Sequence, residues 1–241
     1  FKHDAKKAKV YRAQGFGAVL THYSDGIHRG LGALVALGSN ENRNLLSKAA
    51  SAHLSFRKGN SRQSYPNSLM GVTALIRQSY LDAQWYEGRR GLEPTDLTLE
   101  AWLASQSLPQ IFETTEMLDI LRADRIGDEF HVQYIMKGNG DEYQRLDDIK
   151  ATGCSLIIPV NYPKPFDVSD PFLTNTIEID ELKHWELAPY NPYFLANKEI
   201  SFSFTSHGLK DQSDFLKNVR RAVRYGLSEE KALEALTVIP A

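Results

Sequence analysis

From Leu108 to the last residue, short apolar runs alternate with segments of helical period, and no other feature constrains the fold as strongly. The runs 108–112, 130–136, 154–160 and 200–205 read as strands, and 115–126, 141–151, 179–185, 212–225 and 228–236 read as helices. A strand followed by a helix, repeated four times, calls for a parallel sheet with helical crossovers.

The first half of the chain is less regular. A helix is expected over 2–14, ended by Gly15, and a strand over 16–23. Two more strands, at 32–38 and at the alternating 52–56, are joined by a polar loop through Asn40, Glu41 and Asn42 and suggest an antiparallel excursion. After the turn-rich 61–67, the positions Leu69, Val72, Leu75, Ile76, Tyr80 and Leu81 recur at helical spacing up to Tyr86, and Thr95 or Asp96 is placed to cap a helix running to Gln106. Seven strands result, five in parallel order plus the antiparallel pair.

Composition narrows the partners. A chain of 241 residues with 42% hydrophobic content is long enough for one large domain, taken here as 1–241. Twenty-eight basic against 30 acidic residues, net charge -2, provide no field for nucleic acid or an anionic membrane, so small molecules or protein are the expected partners. No apolar run approaches the roughly 20 residues of a membrane span, and no targeting segment opens the chain. The single cysteine, Cys154, rules out an internal disulfide and reads as a small buried hydrophobe. Because the chain opens at Phe1 in a charged helical stretch and stops at Ala241 just after a helix, it reads as part of a longer polypeptide.

The ending carries a resemblance. Val219-Arg220-Arg221-Ala222-Val223-Arg224-Tyr225 leads into Gly226-Leu227-Ser228, then Glu234-Ala235-Leu236 and the stop Thr237-Val238-Ile239-Pro240-Ala241. This run resembles the final helices of amidohydrolases, closest to imidazolonepropionase-like members. Pro189 to Ala196 resembles the family's approach to its last barrel strand, and Gly71 to Gln78 one of its helices. Physically these are packing devices: Gly226 supplies a left-handed cap, Ser228 caps the next helix, and Pro240 stops it. The resemblance implies an α/β fold of the (β/α)8 TIM-barrel type, incomplete here and carrying the small antiparallel excursion.

It also implies a metal site of zinc or another divalent ion, built from a His-x-His pair on the first strand, a lysine or glutamate after the fourth, histidines after the fifth and sixth, and an aspartate after the eighth. Such a metal makes hydroxide available near neutral pH. The histidines here are His3, His22, His28, His53, His131, His184 and His207, with no His-x-His among them. Glu113 and Thr114 follow the expected fifth strand, Lys137-Gly138-Asn139-Gly140 the sixth, and Thr205-Ser206-His207 stands where the family has its aspartate; Asp211 comes several residues too late. The expected site is therefore degenerate. The alternative is a rearranged metal site of His22, Glu113 and His207, imidazole and carboxylate being suitable zinc ligands.

His22 and Asp25, in Thr21-His22-Tyr23-Ser24-Asp25-Gly26, form the best local polar cluster and are candidate catalytic residues with Glu113 and His207; the competing reading is a turn made by the Asp-Gly pair. The backbone amides of 137–141 could hold an anion at a helix start, or make a plain strand-to-helix turn. Tyr134, Trp185, Tyr190 and Tyr193 read as pocket lining or as loop packing, and His53 and His131 as strand residues without chemistry.

Three functions follow. The first is a catalytically reduced amidohydrolase-like domain of a larger hydrolase, with the rest of that polypeptide or a second copy as partner. The second is a working metal-dependent hydrolase of cyclic or non-peptide carbon-nitrogen bonds whose missing ligands lie elsewhere. The third is a small-molecule binding module.

Overall fold

The computed structural model describes residues 4–38 and 44–241. The chain divides into two compact units, an N-terminal one of Phe1–Thr114 with Arg122–Ile135 and a C-terminal one of Thr115–Leu121 with Met136–Ala241.

In the N-terminal unit, helix α1 (Ala5–Ala13) is capped by Asp4, whose carboxylate accepts from the amides of Lys6 and Lys7 at 3.0 Å. Strands β1 (Ala18–Thr21), β2 (His28–Ala36) and β3 (Leu45–Ser55) form an antiparallel meander, and β3 then runs parallel to β4 (Gln110–Glu113). The antiparallel part therefore has three strands rather than two, and the first strand belongs to it. The loop residues Asn40, Glu41 and Asn42 lie outside the described residues.

β3 changes character along its length. Its first half is largely exposed, whereas Ser51 through Ser55 are all buried, where the pairing with β4 begins at Ala52. A strand with a neighbour on each side and both faces covered loses its polar-out alternation. The apparent alternation of 52–56 thus conceals two buried polar side chains, His53 and Ser55.

Helix α2 (Leu69–Glu87) buries Val72, Ile76, Tyr80, Ala83 and Tyr86, one stripe of a 3.6-residue period, after an N-cap at Ser68. Asp96, not Thr95, caps α3 (Leu97–Ser105) through the amides of Thr98 and Leu99. Tyr80 donates to Gln110 Oε1 at 3.2 Å and meets the Tyr134 hydroxyl at 2.7 Å, so Tyr134 donates to Tyr80. Burial pushes Tyr80 up to about 12, so the phenol stays neutral. Tyr134 itself is 1% exposed, a core residue rather than pocket lining. Tyr80→Phe strands both the Tyr134 hydroxyl and the Gln110 carbonyl and is expected to cost about 2 kcal/mol in chemical denaturation, against about 1 kcal/mol for Tyr134→Phe.

Helix α4 (Met117–Phe130) runs four residues further than the sequence suggests, and the expected strand 130–136 shrinks to β5 (Ile135–Lys137). Phe130 closes the helix, His131 takes a left-handed φ of 58°, and the Val132 amide donates back to Gly127 O at 2.9 Å. His131 is therefore a helix-cap residue, not a strand residue.

In the C-terminal unit, β5, β6 (Leu156–Pro159) and β7 (Phe202–Thr205) are parallel, with register Met136↔Leu156 and Leu156↔Phe202. A 3-10 turn at Glu142–Arg145 leads into α5 (Leu146–Thr152); α6 (Pro171–Thr174), α7 (Ile179–Leu187) and α8 (Asn191–Asn197) lie between β6 and β7; α9 (Phe215–Arg224) and α10 (Glu229–Leu236) close the chain. Met136, Ile149, Leu156, Ile158 and Leu195 are fully buried, each side chain contributing about 1.5 to 3 kcal/mol. Cys154 is buried and in no disulfide. Gly226 has φ 105° against the Tyr193 ring, and Ser228 Oγ accepts from the Lys231 amide at 3.2 Å, so the C-terminal turn is capped as its residues suggest. Among the described residues no helix is long and apolar enough to cross a membrane.

Candidate functional site

At the end of β4, Glu113 is held by Arg29 from β2, Nη1 to Oε1 at 2.7 Å, with side chains 20% and 2% exposed. Arg29 also donates to Arg57 O at 3.2 Å, and Ser55 Oγ bridges this corner by donating to Glu113 O and accepting from the Arg57 amide. Burying a guanidinium to this degree is costly unless a carboxylate offsets its lost hydration. The Glu113 carboxylate is therefore committed within the chain.

His22, just past β1, stacks on His53 of β3, ring centroids 3.9 Å apart at 16°. His53 Nε2 lies 2.8 Å from Ser51 Oγ, both residues being buried. A Cβ at Gly32 on β2 would overlap both of those polar atoms, so only glycine lets β2 pass the Ser51-His53 pair. Asp25 is exposed; its backbone bridges to Gly59, and Gly26 beside it takes φ 81° and donates to Lys58 O, which makes this segment a turn.

That turn borders a cavity of about 240 Å³ in the N-terminal unit, lined by Asp25, His28, Lys58, Ser61, Gln63 and Leu75 among others. His28 Nε2 lies 3.1 Å from Ser79 Oγ, and the Ser79 hydroxyl spends its proton on Leu75 O at 2.9 Å. Nε2 must then be the protonated nitrogen, which leaves a bare lone pair on Nδ1. Nδ1 is buried without a partner, as is Nε1 of Trp102, whose ring meets His28 edge-on at 4.4 Å. Burial lowers the His28 pKa from 6.5 to about 4.

The unfolded chain takes up this proton at 6.5 and the folded chain only near 4, so stability is complete above 6.5 and falls as pH drops through that window. The expected loss attributable to His28 is about 3 kcal/mol, read as the pH dependence of the denaturation midpoint, and it should vanish in His28→Gln.

In the C-terminal unit the loop after β5 answers the question of the anion. The amides of Asn139 and Gly140 donate to Oε1 of the chain's own Glu142 at 2.9 and 3.1 Å, and Asn191 Nδ2 donates to Oε2 at 2.6 Å. Glu142 is fully buried, and desolvation raises its pKa against those hydrogen bonds. Asp141 accepts from the Met117 amide at 3.1 Å while its other oxygen is buried without a partner, and burial raises its pKa. Tyr143 reaches His184 Nδ1 at 3.3 Å. His207 is exposed in the turn after β7, its amide donating to Thr205 Oγ1 at 3.2 Å.

Among the described residues, no three His, Cys, Asp or Glu side chains gather into a group able to hold a metal ion, so His22, Glu113 and His207 form no such set. The implied metal therefore finds no fitting donor set in these residues. Two residues that matter went unremarked in the sequence, His28 and Glu142. Nothing local marks the first; the second is signalled by Gly138 and Gly140 on either side of Asn139, just ahead of the acids Asp141 and Glu142.

The chain superposes on the crystal structure of an amidohydrolase from Thermotoga maritima MSB8 with a TM-score of 0.75 and 20% identity over 98% of its residues. The fold is amidohydrolase-like. This amidohydrolase-like chain spans 63% of the length of that protein. An uncharacterized protein of solved structure matches 58% of the chain at 14% identity with a TM-score of 0.39, covering 35% of its own length. No family model and no curated protein matches the chain.

Proposed function

We propose that this chain is an amidohydrolase-like domain of a larger hydrolase, of the imidazolonepropionase-like kind, and that it acts as a scaffold with its own metal centre reduced. The observation that carries this reading is Glu113. At a strand end where the resemblance calls for a metal-binding histidine, its carboxylate is locked 2.7 Å from a buried arginine. The partners that fit are the rest of the parent polypeptide or a second copy.

The test is hydrolysis of cyclic amides, imidazolones and hydantoins included, by the purified 241-residue chain with added zinc or manganese. No turnover above the metal-only control is expected, and turnover above that control would contradict the proposal. A working metal-dependent hydrolase is the second reading, favoured by the chain's spanning only 63% of the amidohydrolase it resembles in fold. In that case the missing ligands come from further polypeptide, and mixing the chain with it restores turnover.

A further inference from the structure

Helix α2 carries a second apolar stripe, on the side opposite the one it buries. Met70, Ala74, Leu81 and Trp85 fall within about 60° of one another around the helix and along roughly 22 Å of its length. All four are exposed, Met70 at 83% and Leu81 and Trp85 at 51% each. The stripe from Val72 to Tyr86 already gives α2 its core contacts, so the fold of this unit does not account for the second one. A thioether, a leucine and an indole exposed in one line have the composition of an interface centre, where Met and aromatic residues are enriched. The Arg89 guanidinium lies 5.0 Å from the Trp85 ring centroid and steadies the indole.

The spacing and the charges of the stripe point to its occupant. Turned end for end about an axis between residues 77 and 78, the stripe meets itself, Met70 against Trp85 and Ala74 against Leu81. Each contact sets a small or flexible group against a large one, as close helix packing requires. The polar rim agrees. On one side Gln78 donates to the Asp82 carboxylate; on the other, level with the axis, Arg77 is paired with Glu129 of α4, and both are exposed. A rim with one charge of each sign is complementary to its own reversed copy, guanidinium to carboxylate, and not to a surface of a single sign. We propose that α2 is a contact between two copies of this chain, the helices packing antiparallel about a two-fold axis between residues 77 and 78. A single helix pair is a small interface, below about 1,200 Å² in total, so the dimer is weak and its population follows concentration.

The experiment is analytical ultracentrifugation of the 241-residue chain over a wide concentration range. Reversible exchange between monomer and dimer is expected, with dimer affinity weakened about tenfold or more in Trp85→Ala and in Leu81→Glu. Both side chains are half exposed, so the variants keep the fold, which circular dichroism checks. Leu233→Glu, at an exposed apolar position of α10, is expected to dimerise as the unaltered chain does. A second measurement fixes the register: on oxidation of mixed Ala74→Cys and Leu81→Cys chains, the mixed disulfide should exceed either symmetric one, because 74 faces 81 and neither faces itself. Cys154 is buried and stays out of this reaction. The proposal is overturned by a chain that is monomeric at every concentration, which would leave the stripe to other polypeptide, by a dimer indifferent to Trp85→Ala and Leu81→Glu, by equal loss in Leu233→Glu, or by cross-linking without preference for the mixed pair. No metal and no turnover enters the readout, so this result stands apart from the hydrolase reading.

Discussion

Glu142→Ala is expected to lower stability by about 4 kcal/mol in chemical denaturation, a large share of the roughly 5 to 15 kcal/mol that holds a typical protein folded. The side chain is fully buried and is the acceptor for three donors, the amides of Asn139 and Gly140 and the side-chain amide of Asn191. Alanine removes all three acceptor contacts and leaves a cavity besides. Glu142→Gln separates this account from one based on charge. Its carbonyl keeps the two backbone amides, and its NH2 meets Asn191, whose Oδ1 is buried without a partner and can turn to accept. A cost of about 1 kcal/mol or less is expected for the glutamine variant. Gly138→Ala belongs to the same test, because a Cβ there would overlap Glu142 Oε1 and must displace the loop, at about 1 to 3 kcal/mol.

The second large effect concerns the ion pair at the end of β4. Removing the carboxylate with Glu113→Ala leaves the Arg29 guanidinium, 2% exposed, without its counter-charge, and about 3 to 5 kcal/mol should be lost. Arg29→Met with Glu113→Leu removes both charges and fills the space, and the double variant should recover most of that loss. A double-mutant cycle on urea unfolding measures the coupling. A double variant no better than Glu113→Ala would mean that the corner depends on the arginine's hydrogen bond to Arg57 O rather than on the pair.

The order of elements was legible because hydrophobic period and capping residues are local. Val72, Ile76 and Tyr80 announce α2, and Ser228 and Gly226 announce the turn into α10, without reference to anything distant. The misplacement of β5 has a local cause of a different kind. Phe130, Val132, Tyr134 and Met136 alternate as a strand would, yet Phe130 ends a helix and the alternation spans a helix cap and a short strand. The antiparallel role of β1 could have been argued from length alone: six residues separate Thr21 from His28, too few for a parallel crossover.

The candidate site was harder to read because partners far apart in sequence decide it. Glu113 reads as a ligand until Arg29 arrives from β2, and His28, which lies in none of the expected strands, has its tautomer fixed by Ser79 across 51 positions. The anion site after β5 was visible as a pattern of glycines, but not its occupant, which is the chain's own side chain two residues beyond Gly140.

The most direct test of the central claim, that these strand ends are committed to contacts within the chain rather than to a metal, is elemental analysis. The folded 241-residue chain is incubated with zinc and with manganese, dialysed, and assayed for bound metal. The account predicts metal far below one ion per chain, unchanged in His22→Ala, Glu113→Ala and His207→Ala variants that remain folded. Near-stoichiometric metal, lost in any of those three, would contradict it.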